Sequence, residues 1–182
     1  MYAVVGYFGP QTEEQIQAIW KDLSEQGISD YAYRVGGNRP HITFAGYDEV
    51  DESSFITDLE SYYNDKEAVD VEMNVLGTFI GSSTLFITPI MTKELLNFHC
   101  DHHEAFHSYQ DNPESLYQPG KWIPHCTIAN YLDGDALQQA FDYCSKQLTP
   151  LKATIQEISL IKVVREEGEV KEAVNLFSVT LK

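Results

Sequence analysis

The chain opens on an apolar run, Tyr2 to Phe8, rich in β-branched and aromatic residues, which predicts a buried strand closed by Gly9-Pro10. Ile16, Ile19, Trp20 and Leu23 then recur at helical spacing. Thr12, with Gln15 three residues on, predicts a capping box at the start of that helix, and Gly27 marks its end. Residues 28–40 carry Gly36-Gly37 and Pro40 and read as irregular. His41 to Ala45 reads as a short strand. Asp51 to Tyr63 reads as a helix turning Phe55, Leu59 and Tyr62 inward. Val71, Met73 and Val75 alternate with polar residues as a half-buried strand does.

The pattern then begins again. Thr84 to Ile90 predicts a strand and Thr92 to about Tyr109 a long helix. A polar loop runs from Asp111 to Lys121, and His125 to Ala129 is a second short strand. Gly134 to Gln147 is helical through Leu137, Ala140, Phe141 and Cys144. Ile155–Val164 and Val174–Leu181 form a hairpin around Glu166-Glu167-Gly168-Glu169. The two passages keep an offset of 84 residues, which carries His41 onto His125 and Val71 onto Ile155. The economical reading is an α+β protein of two pseudo-symmetric βαβ-type lobes, with antiparallel-containing sheets around a central cleft. The lobes, about 1–82 and about 83–182, make one bilobal domain of residues 1–182.

Charge narrows the function. Lys and Arg total 12 against 28 Asp and Glu, a net charge of −16. So acidic a chain repels polyphosphate and has few cations with which to release counterions, which excludes broad binding to duplex DNA or long RNA. A small anionic substrate held by a few local cations remains allowed. Cys100, Cys126 and Cys144 are widely spaced without a CxxC pair, the usage of a reducing compartment. No stretch reads as a signal peptide or a membrane span, so a cytoplasmic location is expected.

The best-matched segments of the repeat carry the chemistry. Pro40-His41-Ile42-Thr43-Phe44-Ala45-Gly46-Tyr47 and Pro124-His125-Cys126-Thr127-Ile128-Ala129-Asn130-Tyr131 share Pro, His, Thr, Ala and Tyr. In a strand, residues two apart point the same way, so each His-x-Thr places an imidazole beside a hydroxyl. Two such strands facing one cleft supply a proton acceptor, a proton donor and two hydroxyls for the oxygens of a phosphate. That set suits attack at a phosphodiester with no metal and no cofactor. Read singly, each His satisfies a strand end and each Thr is an ordinary β-former.

On these two motifs and the bilobal order, the chain resembles the two-histidine phosphoesterase superfamily, also known as 2′-5′ RNA ligase-like proteins. The resemblance implies a metal-independent phosphoesterase acting on a 2′,3′-cyclic phosphate or 2′-5′ phosphodiester of a nucleotide or RNA end. It makes His41 and His125 the general acid and base, and Thr43 and Thr127 the phosphate ligands. The RNA-ligase branch carries Leu-Ala-Arg after its second motif, where this chain has Ile128-Ala129-Asn130. Ligase activity is therefore an alternative, as is a catalytically silent binder of nucleotides or RNA ends.

Compensating charge and stacking surfaces lie close by. Arg34, Arg39 and Lys121 precede the two motifs, in a chain with only three Arg. Tyr7, Phe8, Tyr47, Trp122 and Tyr131 offer faces for a nucleobase, though aromatics are more often core. Of these, Arg39, Lys121, Tyr7, Tyr47 and Tyr131 are the candidate substrate contacts. A second cluster, His99-Cys100-Asp101-His102-His103-Glu104 with His107, sets His99, His103 and His107 on one helical stripe. A zinc-binding regulator would use such a stripe. Leu95, Phe98, Phe106 and Tyr109 instead bracket His102 as a core arc, and no HExxH is present, so structural or surface histidines are expected.

Overall fold

The computed structural model describes residues 1–110 and 112–182. Its strands are β1 (Tyr2–Phe8), β2 (His41–Tyr47), β3 (Val69–Thr78), β4 (Leu85–Pro89), β5 (Cys126–Ala129), β6 (Leu151–Glu166) and β7 (Glu169–Thr180). Its helices are α1 (Pro10–Glu25), α2 (Tyr31–Arg34), α3 (Glu52–Tyr63), α4 (Lys93–Ala105) and α5 (Gly134–Gln147). The architecture is α+β with an antiparallel sheet.

Local chemistry explains most boundaries and corrects a few expectations. Helix α1 starts at Pro10 with Gly9 as its cap, and Thr12 is buried in the first turn, so the expected capping box does not form. Proline's fixed φ and missing N–H make it a natural first residue, and the helix begins three residues early. Helix α3 is capped by the Asp51 carboxylate, which accepts from Ser54 N at 2.9 Å. It buries Phe55, Leu59 and Tyr63 at every fourth position, so Tyr63 rather than Tyr62 faces the core. Residues 28–40 include the single turn α2. Helix α4 ends at Ala105, because Phe106 leaves helical geometry and packs its ring on His102 at 4.7 Å. A 3-10 turn, His107–Tyr109, follows, and of the polar loop expected from Asp111 to Lys121 the first residue lies outside the described ones. Strands β6 and β7 turn at Glu167 and Gly168, both at positive φ, as a two-residue type I′ hairpin requires.

The sheet order is β2-β1-β6-β3-β4-β5, with β7 also on β6, and every ladder between named strands is antiparallel. Under the 84-residue offset β1 corresponds to β4, β2 to β5 and β3 to β6, so this order reads the same from either end. The central ladder maps onto itself as well: the offset turns the pair Val69–Ile155 into Val71–Ala153, and both are present. The two passages have exchanged their third strands, β3 lying beside β4 and β6 beside β1. A lobe boundary at 82/83 therefore falls in the β3–β4 hairpin, where the sheet has no seam. Strand β7 has no counterpart.

This exchange positions the site. It leaves β2 and β5, the two His-x-Thr strands, as the ends of the sheet path, and these ends approach one another. The Cys126 thiol sits against the backbone of His41, so the second motif's strand lies against the first. One continuous core, including Val4, Ile16, Ile42, Phe44, Phe55 and Ile128, runs beneath both.

Candidate active site

Both motif strands carry the same irregularity. The β1–β2 register shifts between Val4 and Val5, leaving Phe44 as an extra residue. The β4–β5 register shifts between Leu85 and Phe86, leaving Ile128. Phe44 and Ile128 are again 84 apart, so each Thr is followed by a β-bulge. A bulge re-aims the chain and resets the alternation of faces. Before it, His41, Thr43, His125 and Thr127 are half-buried, while Ile42, Phe44, Cys126 and Ile128 enter the core. After it, Ala45 and Tyr47 turn inward, where an unbroken alternation would have kept Tyr47 beside His41. Tyr47 is consequently a core residue, its hydroxyl bonded to His102 Nε2 at 3.0 Å, and not a substrate contact.

The two imidazoles are held in the same way. His41 Nδ1 donates to the carbonyl of Arg39 at 2.6 Å, and His125 Nδ1 to that of Ile123 at 2.7 Å. Each bond reaches the residue two back, fixing the tautomer and leaving Nε2 without a protein partner among the described residues. Burial lowers the pKa of both rings, opposed by these carbonyl bonds. Charge on His125 and on Arg39 lowers that of His41 further, so the two rings stand within electrostatic reach. Both shifts favour the neutral rings, and a phosphate anion beside them would favour protonation of one.

The threonines are held from the opposite half of the chain. Trp122 Nε1 donates to Thr43 O at 2.9 Å, and Trp20 Nε1 to Thr127 O at 3.3 Å. The Tyr117 phenol, its pKa raised by burial, is opposed in that shift by the Thr43 side chain. The Tyr31 phenol, likewise raised, is opposed by Asn38 and Thr127. Tyr31 and Tyr117 were not among the sequence candidates. Each stands shortly before a motif, in stretches read as irregular or polar loop, and the offset of 84 residues does not align them. Tyr117 also lines a recess of ≈ 310 Å³ with Phe79, Leu116, Lys121, Ile123 and His125.

The remaining candidates have other work. The Arg39 guanidinium lies 3.7 Å over the Tyr7 ring and bonds Glu13 at 2.8 Å and Glu157 at 3.0 Å, so its fork is committed. Burial works against its charge, and the two carboxylates outweigh it and raise its pKa. Tyr7 is buried edge-on to His41, with its own pKa pushed up to about 12 by burial. Phe8 is core. Arg34 pairs with Asp30 on the surface, and Lys121 with Glu114 at 3.3 Å. Tyr131 leaves β5 at a positive φ of 59°, its hydroxyl accepting from Val170 N at 3.1 Å. Asn130 caps that turn, its Oδ1 accepting from Thr84 Oγ1 and Tyr131 N.

The histidines of α4 brace the first motif from behind. His103 Nε2 bonds the carbonyl of Phe44, the bulge residue, at 3.1 Å, and its Nδ1 meets Gln110. His99 Nε2 bonds Tyr117 O at 2.8 Å, and its ring stacks flat on Trp122 at 3.9 Å. His102 lies between the Tyr47 and Tyr63 hydroxyls. Burial lowers the pKa of all three, that of His99 to about 4. His107 is exposed and bonds Glu104 O. Among the described residues no group of three or more His, Cys, Asp or Glu is placed to hold a metal ion. The three cysteines form no disulfide, and no described helix is long and apolar enough to cross a membrane.

Solved structures share this architecture. Escherichia coli LigT, crystallised with 3′-AMP, superposes with a TM-score of 0.63 at 13% identity, over 99% of this chain and 97% of that one. The same protein has also been crystallised with NADP+, ATP and phosphate. TT0787 of Thermus thermophilus gives a TM-score of 0.60 at 12% identity, covering 100% and 98%. A structure described as a phosphoesterase gives 0.58 at 16%, covering 99% and 97%. No curated protein sequence matches the chain. The profile of the 2′-5′ RNA ligase superfamily matches residues 8–167, both motifs included, and the chain belongs to that superfamily of phosphoesterase- and ligase-like enzymes.

Proposed function

We propose that the protein is a metal-independent phosphoesterase that opens a 2′,3′-cyclic phosphate, or cleaves a 2′-5′ phosphodiester, of a nucleotide or RNA end. The observation that carries this reading is the matched pair of Nδ1 bonds on His41 and His125. They give two neutral imidazoles of one tautomer, each with Nε2 available for proton transfer. The Nε2 of one takes a proton from water as the water attacks phosphorus. The protonated Nε2 of the other gives its proton to the sugar oxygen as the P–O bond breaks. The Thr43 and Thr127 hydroxyls donate to the non-bridging oxygens, where negative charge gathers in the transition state. The relatives crystallised with 3′-AMP, NADP+ and ATP support a small nucleotide as substrate.

The acidic surface supports a substrate gripped by one phosphate rather than by a long polyanion, in a reducing, cytoplasmic setting. The ligase alternative lacks a cation at Asn130, whose Oδ1 accepts from Thr84 Oγ1 and Tyr131 N. The test is a panel of nucleoside 2′,3′-cyclic phosphates and 2′-5′ dinucleotides, assayed with a chelator present and scored for the phosphate isomer released. Turnover that survives chelation is expected. Binding without turnover would turn the reading into a silent nucleotide binder.

A further inference from the structure

The groove is symmetric in its backbone and asymmetric in what flanks it. Arg39 and Ile123 are corresponding residues, and the carbonyl of each holds its histidine's Nδ1. Their side chains give the two flanks opposite character. On the His41 flank, Arg39 is locked between Glu13 and Glu157, a network with one negative charge in excess. On the His125 flank lies the ≈ 310 Å³ recess, at the small end of the ~300–1,000 Å³ range of ligand pockets.

That recess is built for an uncharged, flat group. Phe79 lies tilted against Phe86 at 4.5 Å and edge-on to His125 at 4.9 Å. Leu116 and Ile123, 75% and 51% exposed, stand at its walls. Lys121 is the one cation in the lining. The recess is continuous with the phosphate site on both sides, through His125 itself and through Tyr117, which faces the Thr43 side chain.

We propose that this recess takes the heterocyclic base and sugar of the substrate, and so gives the groove a direction. With the organic part beside His125, the bridging oxygen that leaves phosphorus faces His125, and the attacking water enters from the polar His41 flank. In-line displacement requires these two oxygens on opposite sides of phosphorus. His41 Nε2 then takes the proton from water as the new P–O bond forms. His125 Nε2–H delivers its proton to the sugar oxygen as the old P–O bond breaks, and solvent restores both rings. The excess carboxylate on the His41 flank disfavours a second phosphate there.

This inference rests on the phosphoesterase reading, and its test has one arm that needs no turnover. Calorimetry with a nucleoside 3′-monophosphate and with inorganic phosphate reads the recess directly. The nucleotide is expected to bind at least about 10-fold more tightly, the contribution of one base stacked on an aromatic ring. Leu116→Asn, an uncharged change at an exposed position, and Phe79→Ala should each erase that advantage and leave phosphate affinity in place. A nucleotide that binds no better than phosphate, or variants that weaken both ligands alike, would overturn the recess even if the enzyme turns over.

The direction is read with methyl aryl phosphates. A 4-nitrophenyl leaving group needs no general acid, whereas phenyl does. His125→Ala should lose at least about 10-fold less rate on the nitrophenyl ester than on the phenyl ester, and His41→Ala should lose equally on both. The reverse pattern would overturn the direction. Absence of turnover on every diester, with tight nucleotide binding, would overturn the phosphoesterase reading and the direction, and leave the recess standing.

Discussion

Replacing Trp122 with Phe isolates the contact by which one half of the chain holds the threonine of the other. The indole is 8% exposed, stacks on His99 and donates to Thr43 O at 2.9 Å. Strand β2 ends the sheet path, so no strand is hydrogen-bonded along its outer side and the indole supplies this carbonyl's partner. Phe keeps a ring against His99 and removes the donor. A buried acceptor left unpaired costs about 1–3 kcal/mol, and the half-buried setting of Thr43 places the loss near about 1–2 kcal/mol. With a urea m-value of roughly 2 kcal/mol/M, the midpoint should fall by about 0.5–1 M with m unchanged. Under the proposed mechanism kcat should fall up to about 10-fold with little change in KM, less than the ~10²-fold expected for Thr43→Ala. Trp20→Phe should act in the same direction at Thr127, and less, because its bond is longer at 3.3 Å. An unmoved midpoint together with an unmoved kcat would refute the reasoning.

Arg39→Ala leaves Glu13 and Glu157 facing each other without their cation, and should destabilise the fold by about 1–3 kcal/mol in urea unfolding. Because its fork is already committed, the affinity for inorganic phosphate should change far less than the stability. The α4 histidines predict acid lability. Their folded pKa values lie below the usual 6.5, to about 4 for His99, so the unfolded chain binds more protons between those values. The stability His99 contributes is complete above pH 6.5 and declines as pH falls toward 4, by about 1.4 kcal/mol per pH unit, and His102 and His103 act in the same direction. Urea midpoints across that range check this. Lengthening an RNA substrate beyond its terminal nucleotide should change affinity little, with a shallow dependence on salt.

The duplicated pattern was legible because it is written twice. The His-x-Thr strand recurs at an offset of 84 residues with core residues alternating beneath each copy, and that is enough to suggest a paired site between two halves. The exchange of β3 and β6 was hidden, since both strands are apolar alternations that suit either neighbour. The bulges at Phe44 and Ile128 were hidden as well, because nothing in His-x-Thr-Phe-Ala marks an extra residue in the ladder. That one unseen feature moved Tyr47 from candidate contact to core. Arg39 misled for a different reason: a rare cation beside a motif suggests a phosphate, and its partners Glu13 and Glu157 come from distant parts of the chain. Tyr31 and Tyr117 lay in stretches without periodicity, where the alignment of the two halves loses its register.

The central claim is that His41 and His125 act as a matched acid–base pair on one phosphate. The most direct measurement is the pH dependence of kcat/KM on a nucleoside 2′,3′-cyclic phosphate, for the unmodified protein and for His41→Ala and His125→Ala. A bell-shaped profile is predicted, because one ring must be neutral and the other protonated. Burial holds both pKa values low in the free protein, so the acidic limb should lie below 6.5. Each substitution should remove one limb and lower the rate by about 10²–10⁴. A profile without two limbs, or a substitution that leaves both limbs in place, would contradict the account.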